Sequence, residues 1–226
     1  MIKAVIFDFD GTLLDTESCA YEAFGGLYAE HGHVLPLEQW ALGIGTHGSP
    51  FDPYVDLQAR TGLTMDREAL KARFEAELLA KADCAELRPG VVEVLEEAKS
   101  LGLSIGLASS ADRAWVERHL EAKGIRKYFE ALRTSDDVEK VKPDPALYLL
   151  AAEALGVKPE EAVAFEDSLN GMKAAVAAGM PVVVVPNPMT RHMDFAAARA
   201  DLIIESLADQ PLRAVLDRIG TVAKQA

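Results

Sequence analysis

Ile2-Lys3-Ala4-Val5-Ile6-Phe7-Asp8-Phe9-Asp10-Gly11-Thr12 joins a short apolar, β-branched run to two acids and a glycine. The run is nearly continuous and does not alternate between apolar and polar residues. That is the pattern of a strand covered on both faces, as in a parallel sheet flanked by helices. Similar runs occupy residues 103–108, 162–165 and 181–185, with weaker ones at 129–133 and 202–204. Helical patterns lie between them, at 89–101, 111–123, 145–155 and 168–178. The first reads as opening on Pro89 in its first turn. The others stop at Gly124, Gly156 and Gly179, where a C′ glycine closes a helix. This alternation predicts an α/β fold built on a doubly wound parallel sheet.

Residues 16–84 interrupt the alternation and contain no convincing strand. Residues 66–82 are amphipathic, with Leu70, Phe74, Leu78 and Lys81 at helical spacing. Residues 16–30 read as helical despite Gly25-Gly26, each of which costs about 1 kcal/mol against alanine. Pro36, Gly43, Gly45, Gly48, Pro50 and Pro53 mark loops around short helices. The expected division is a core of residues 1–15 and 85–226 with a helical insert at 16–84.

Composition narrows the function. The chain has 226 residues, half of them hydrophobic, and 36 acids against 23 bases give a net charge of −13. Such a surface repels nucleic acid and anionic membranes, so neither is an expected partner. No stretch approaches the roughly 20 apolar residues of a membrane span. Cys19 and Cys84 are the only cysteines and suit reduced thiols. A cytoplasmic monomer is the expectation.

Ligands of doubly wound sheets bind beyond the carboxyl ends of the strands. Four sets of polar residues fall there: Asp8 and Asp10; Ser109 with Ser110; Lys142, ahead of the third clear strand; and Glu166-Asp167 at that strand's end. Carboxylates brought so close together need a cation. Oxygen-only ligands without a His/Cys cluster point to a hard ion such as Mg²⁺. A metal and Lys142 facing a pair of acids suit phosphoryl transfer: one carboxylate attacks phosphorus while the other moves a proton. Gly11 lets the chain turn and bring backbone N–H groups near a phosphate.

The same residues carry a resemblance. Phe7-Asp8-Phe9-Asp10-Gly11-Thr12-Leu13-Leu14-Asp15-Thr16 is similar to the first motif of the haloacid dehalogenase superfamily, and in particular of its β-phosphoglucomutase-like phosphatases. Ala108-Ser109-Ser110 resembles the second motif and Val141-Lys142-Pro143 the third. Phe165-Glu166-Asp167-Ser168 with Asn170-Gly171 resembles the fourth. The resemblance implies a Rossmann-like core whose insert at 16–84 is an α-helical cap. It implies Asp8 as nucleophile and Mg²⁺ ligand, and Asp10 as general acid/base that also offers its carbonyl to the metal. Asp167 with Glu166 would complete the metal site. Gly11, Thr12, Ser109, Ser110 and Lys142 would hold the phosphate of a small phosphorylated metabolite. The implied activity is that of a Mg²⁺-dependent phosphatase, with a sugar phosphate as one candidate substrate.

Two alternatives are a hexose phosphate mutase and a silent regulator that binds a phosphorylated ligand. The β-phosphoglucomutases carry a histidine where this chain has Ala20, and an arginine in the cap loop. Here that loop, Leu42-Gly43-Ile44-Gly45-Thr46-His47-Gly48-Ser49, has none. A silent regulator would be expected to lack one of the acids or the lysine, and all are present. In the cap, His47 is the candidate substrate contact. Trp40, Phe51 and Tyr54 read as core or pocket lining, and His31, His33, His119 and His192 as surface residues.

Overall fold

Six strands are present among residues 1–222, the part of the chain described by the computed structural model. They are β1 (Ala4–Phe7), β2 (Ser104–Ala108), β3 (Ala131–Arg133), β4 (Ala162–Glu166), β5 (Val182–Val184) and β6 (Leu202–Ile203). They form one parallel sheet in the order β3-β2-β1-β4-β5-β6. The expected strands are all present, most of them trimmed by a residue or two. Apolar character extends past the last ladder bond. Ile2, for example, is apolar, yet the β1–β2 and β1–β4 pairings begin only at Ala4.

The inner strands divide their side chains between two cores. Val5, Phe7, Ile105, Leu107, Val163, Phe165 and Val183 share one cluster. Helices α5 (Val91–Ser100), α6 (Arg113–Ala122) and α9 (Leu212–Val222) contribute to it. Ala4, Ile6, Ala164, Val182 and Val184 belong to the opposite cluster, packed with α7 (Ala146–Ala154) and α8 (Leu169–Ala177). Burial on both faces explains why the strands read as unbroken apolar runs.

Pro89 does not open α5. Gly90 is the N-cap residue at φ +86°, and a Cβ there would overlap the backbone of Leu207 and Ala208. The chain must turn at this glycine before the helix can begin.

Residues 16–84 hold α1 (Thr16–Glu30), α2 (Leu37–Trp40), α3 (Pro53–Thr61) and α4 (Arg67–Cys84), and no strand of the sheet. They have an aromatic core of their own. Phe24 sits at its centre, with ring centroids 4.8 Å from Tyr54, 5.2 Å from Phe74 and 5.6 Å from Trp40. None of the helices among the described residues is long and apolar enough to cross a membrane. Both cysteines are free.

The strand order reverses direction between β1 and β4, so the crevice beyond their carboxyl ends is the expected ligand site. Pairing of Phe7 with Phe165 sets Asp8 beside Glu166, and Asp8 N–H donates to the Phe165 carbonyl at 2.9 Å.

Candidate active site

The crevice gathers Asp8, Glu166, Asp167, Lys142, Ser109 and Thr12, all buried. The Lys142 ammonium lies between two carboxylates, 2.6 Å from Asp8 Oδ1 and 2.6 Å from Glu166 Oε1. Burial alone would lower its pKa. Asp8 and Glu166 outweigh that and hold its pKa above the usual lysine range.

Glu166 has little left to offer a ligand. Its Oε1 also accepts from Tyr148 Oη at 2.6 Å. Its Oε2 accepts from Asp167 N, Ser168 N and Ser168 Oγ at 3.2–3.4 Å. Gly171, in the first turn of α8, makes room for it: a Cβ there would overlap the Glu166 carboxylate.

Asp167 is held from two sides. Thr12 Oγ1 lies 3.4 Å from its Oδ1, and Asn187 Nδ2 donates to its Oδ2. The Asn187 amide has only one possible orientation. Its oxygen accepts from Met189 N at 2.7 Å and Thr190 N at 3.1 Å, so its NH₂ must face Asp167. Gly11, at φ +81°, brings the backbone close, since a Cβ there would collide with Asp167 and Asn187. Arg88 fixes the same turn by donating to the carbonyls of Gly11 (2.6 Å), Val185 (2.8 Å) and Pro186 (2.8 Å).

One oxygen of this cluster is unsatisfied: Asp8 Oδ2 is buried without a partner. Burial pushes Asp8 up to about 7, with Lys142 pulling it down and Glu166 adding to the rise. Burial, then Asp8 and Glu166, push Asp167 well above the carboxylate range. Asp8, Glu166 and Asp167 each offer an oxygen within 4.8 Å of the others. An orphaned carboxylate oxygen, mutually repelling acids and an all-oxygen donor set fit a hard divalent cation. With Glu166 engaged elsewhere, the free capacity lies on Asp8 and Asp167.

Asp10 faces away from that cluster. Its Oδ1 accepts from Thr16 Oγ1 at 2.7 Å and from the Trp115 indole N–H at 2.9 Å. Its Oδ2 has only Ser109 Oγ, at 3.4 Å. Two donors commit Oδ1 to accepting, so a proton on this carboxyl belongs on Oδ2. Burial raises the Asp10 pKa, while the bonds from Thr16 and Trp115 lower it.

Trp115 rests on His119, with ring centroids 4.2 Å apart. His119 is fully buried, contrary to the surface position expected of it. Its Nδ1 donates to the Trp115 carbonyl at 2.8 Å, and its Nε2 lies 3.6 Å from Asp83 at the end of α4. The carbonyl one helical turn earlier takes the Nδ1 proton, while Nε2 is buried without a hydrogen-bond partner.

Ser110, grouped by its motif with the phosphate contacts, instead donates to the Gly45 carbonyl at 3.0 Å. Asn170 Nδ2 likewise donates to the Ile44 carbonyl at 2.8 Å, with the Leu42 carbonyl at 3.4 Å. Residues 42–45 are thus docked onto the core rim. Gly45, at φ +77°, is pressed against Ser168.

Asp10 opens onto a cavity of about 520 Å³, also lined by Ala20, His47, Trp115 and α4. His47 and Glu17 line a second cavity of about 410 Å³, walled by Trp40, Phe51 and Tyr54. Those aromatics are therefore both core and lining. His31 and His192 are exposed and His33 is half-buried.

The profile of the haloacid dehalogenase-like hydrolases matches residues 2–179. YhcW of Bacillus subtilis (strain 168) is 46 % identical over 221 residues, covering 98 % of this chain and 99 % of that one. The phosphorylated carbohydrates phosphatase of Thermotoga maritima is 33 % identical over 191 residues, 79 % of this chain and 82 % of that one. A mutant of CbbY from Rhodobacter sphaeroides, crystallised with xylulose-1,5-bisphosphate, superimposes with a TM-score of 0.71 at 34 % identity. The match covers 94 % of this chain and 98 % of that chain.

Proposed function

Because the chain belongs to the haloacid dehalogenase-like hydrolases, with relatives named as phosphatases, we propose that it is a Mg²⁺-dependent phosphatase acting on a small phosphorylated metabolite through a phosphoaspartate on Asp8. The observation that carries this reading is the division of labour between two acids. Asp8 is pinned by Lys142 with one oxygen left unpartnered, and Asp10 is oriented by Thr16 and Trp115 with Oδ2 left to titrate.

The Asp8 carboxylate attacks phosphorus, forming an O–P bond as the ester O–P bond breaks. The proton on Asp10 Oδ2 goes to the departing alkoxide. Asp10, now ionised, takes a proton from water, whose oxygen attacks the phosphoaspartate; inorganic phosphate leaves and Asp8 is regenerated. Lys142 offsets charge on Asp8 and Glu166 throughout, and Ser109 and Thr12 stand within the same crevice to orient phosphate oxygens. Asp8, Asp167 and the Asp10 main chain would hold Mg²⁺, which supplies neutralisation of charge on the phosphoryl oxygens. In this reading residues 16–84 act as a cap over the site, and His47 is the basic cap residue lining the leaving-group cavity. Ala20 lines the cavity beside Asp10 and supplies no acid or base there, which favours hydrolysis over the mutase reaction.

The test is hydrolysis of p-nitrophenyl phosphate. Activity is expected with Mg²⁺, to vanish with EDTA and to return when Mg²⁺ is restored in excess. Turnover that survives chelation would overturn the metal assignment.

Trp115→Phe should lower kcat about tenfold, the worth of one hydrogen bond to a charged group. Its indole N–H favours the ionised Asp10, so its loss raises the Asp10 pKa further. The general acid then keeps its proton to higher pH, and the alkaline limb of the kcat profile moves upward. An unmoved limb would mean that the indole only packs.

A further inference from the structure

The phosphatase reading leaves open which esters the enzyme takes, and the charge of the leaving-group cavity bears on that choice. The cavity of about 520 Å³ beyond Asp10 receives side chains from three separate elements. Glu17 comes from α1, Glu75 from α4, and Asp112 caps α6. Leu78, Leu79 and the Trp115 ring supply most of the apolar wall, and Thr16 and Ser135 add hydroxyls. Among the described residues lining it there is no lysine or arginine, and His47 is the one basic side chain.

Two cations lie nearby, and neither lines the cavity. Lys142 is fully buried between Asp8 and Glu166. Lys71 makes only a loose pair with Glu75, at 3.8 Å, and does not line the cavity. The Glu17 carboxylate makes no hydrogen bond or ion pair among the described residues, and Glu17 lines both cavities. Burial and the nearby Asp10, Asp8 and Asp15 push its pKa well above the carboxylate range.

The two halves of the site therefore differ in sign. The transferred phosphoryl group meets an ammonium and a place for a metal ion. The leaving group meets carboxylates on an apolar wall. A second phosphate or a carboxylate on the leaving group would face three acids there, offset only by His47 and by Lys71 at 3.8 Å from Glu75. A hydroxyl can hydrogen-bond to these acids in either protonation state, and an ammonium would hold Glu17 ionised and pair with it.

Resting on the phosphatase reading, we infer that the enzyme is selective for monophosphate esters whose leaving group carries no second anion, and that it favours leaving groups bearing an ammonium. Specificity here comes as much from rejecting the wrong charge as from attracting the right one.

The test uses phenyl phosphate and its 4-aminomethyl, 4-hydroxymethyl and 4-carboxymethyl derivatives. The methylene keeps leaving-group acidity similar across the series while the distal charge changes. With Mg²⁺ at low salt, kcat/KM for the aminomethyl ester should equal or exceed that for the hydroxymethyl ester. Both should exceed the carboxymethyl ester by at least about tenfold, a gap that salt narrows. Glu75→Lys should shrink the aminomethyl-to-carboxymethyl ratio at least threefold. A carboxymethyl ester cleaved as well as the others overturns this inference and leaves the phosphatase reading standing. An unchanged ratio in Glu75→Lys overturns the assignment of selectivity to this cavity. Failure of all four esters to be hydrolysed in an Asp8-dependent way overturns the phosphatase reading, and this inference with it.

Discussion

Asp8→Asn should reduce kcat for p-nitrophenyl phosphate by roughly 10⁴-fold or more, the scale seen when a covalent nucleophile is removed. An amide has no anionic oxygen to attack phosphorus, and no neighbour can substitute. Glu166 is bound on both oxygens, Asp167 is held by Thr12 and Asn187, and Asp10 is turned away toward Trp115. Stability should change little, because two effects oppose each other. The new NH₂ occupies the place of Asp8 Oδ2, which has no acceptor waiting for it. Against this, one negative charge leaves a crowded cluster. The checks are steady-state kinetics, a melting curve, and borohydride trapping of the phosphoaspartate, expected in wild type and absent in the variant. Activity within tenfold of wild type would remove Asp8 from the role of nucleophile.

Lys142→Met should damage stability and rate together. Methionine fills a similar volume but leaves Asp8 and Glu166 facing each other in a dry crevice without their shared ammonium, 2.6 Å from each in the native chain. Breaking a buried pair by removing one partner typically costs about 3–5 kcal/mol. Loss of a fixed positive charge beside the reacting group should lower kcat/KM by about 10³. Denaturant titration and steady-state kinetics measure the two effects. Adding Glu166→Gln separates them. The amide oxygen can keep the bonds from Asp167 N and Ser168, while its NH₂ can donate to the Tyr148 hydroxyl. The double variant should regain about half the lost stability and none of the rate. Recovery of rate with stability would mean that Lys142 matters only as a structural counter-ion.

The sheet and the acids at its rim were readable for a simple reason. Strands covered on both faces are continuous apolar runs, and the residues next along the chain sit at the strand's own end in space. Asp8, Ser109 and Glu166-Asp167 are all found that way. The partners that orient these groups are not. Trp115 reaches Asp10 across 105 residues of chain, and Asn187 reaches Asp167 across 20. Tyr148 reads as one more apolar residue of α7, and its hydroxyl meets Glu166 only once the helix lies on the sheet. Nothing in their local sequence marks them. His119 misled for the opposite reason: a polar residue on a charged helix suggests solvent, but the carbonyl of Trp115 takes its Nδ1 proton locally and its ring packs against the indole. Ser110 sits in a motif that draws attention to phosphate, while its contact is set by where residues 42–45 come to rest.

That resting place bears on how the protein can change over generations. Ser110 and Asn170 grip the loop by the carbonyls of Leu42, Ile44 and Gly45, atoms that every amino acid carries. Gly45 is the most constrained by its own side, where a Cβ would strike Ser168. Ile44 is buried, whereas the side chains of His47 and Ser49 are exposed and make no bond to the core. Substitutions there can alter what the cavity accepts while the fastening persists. A lineage could thus exchange one metabolite for another through a few loop codons, with the reaction apparatus beneath left untouched.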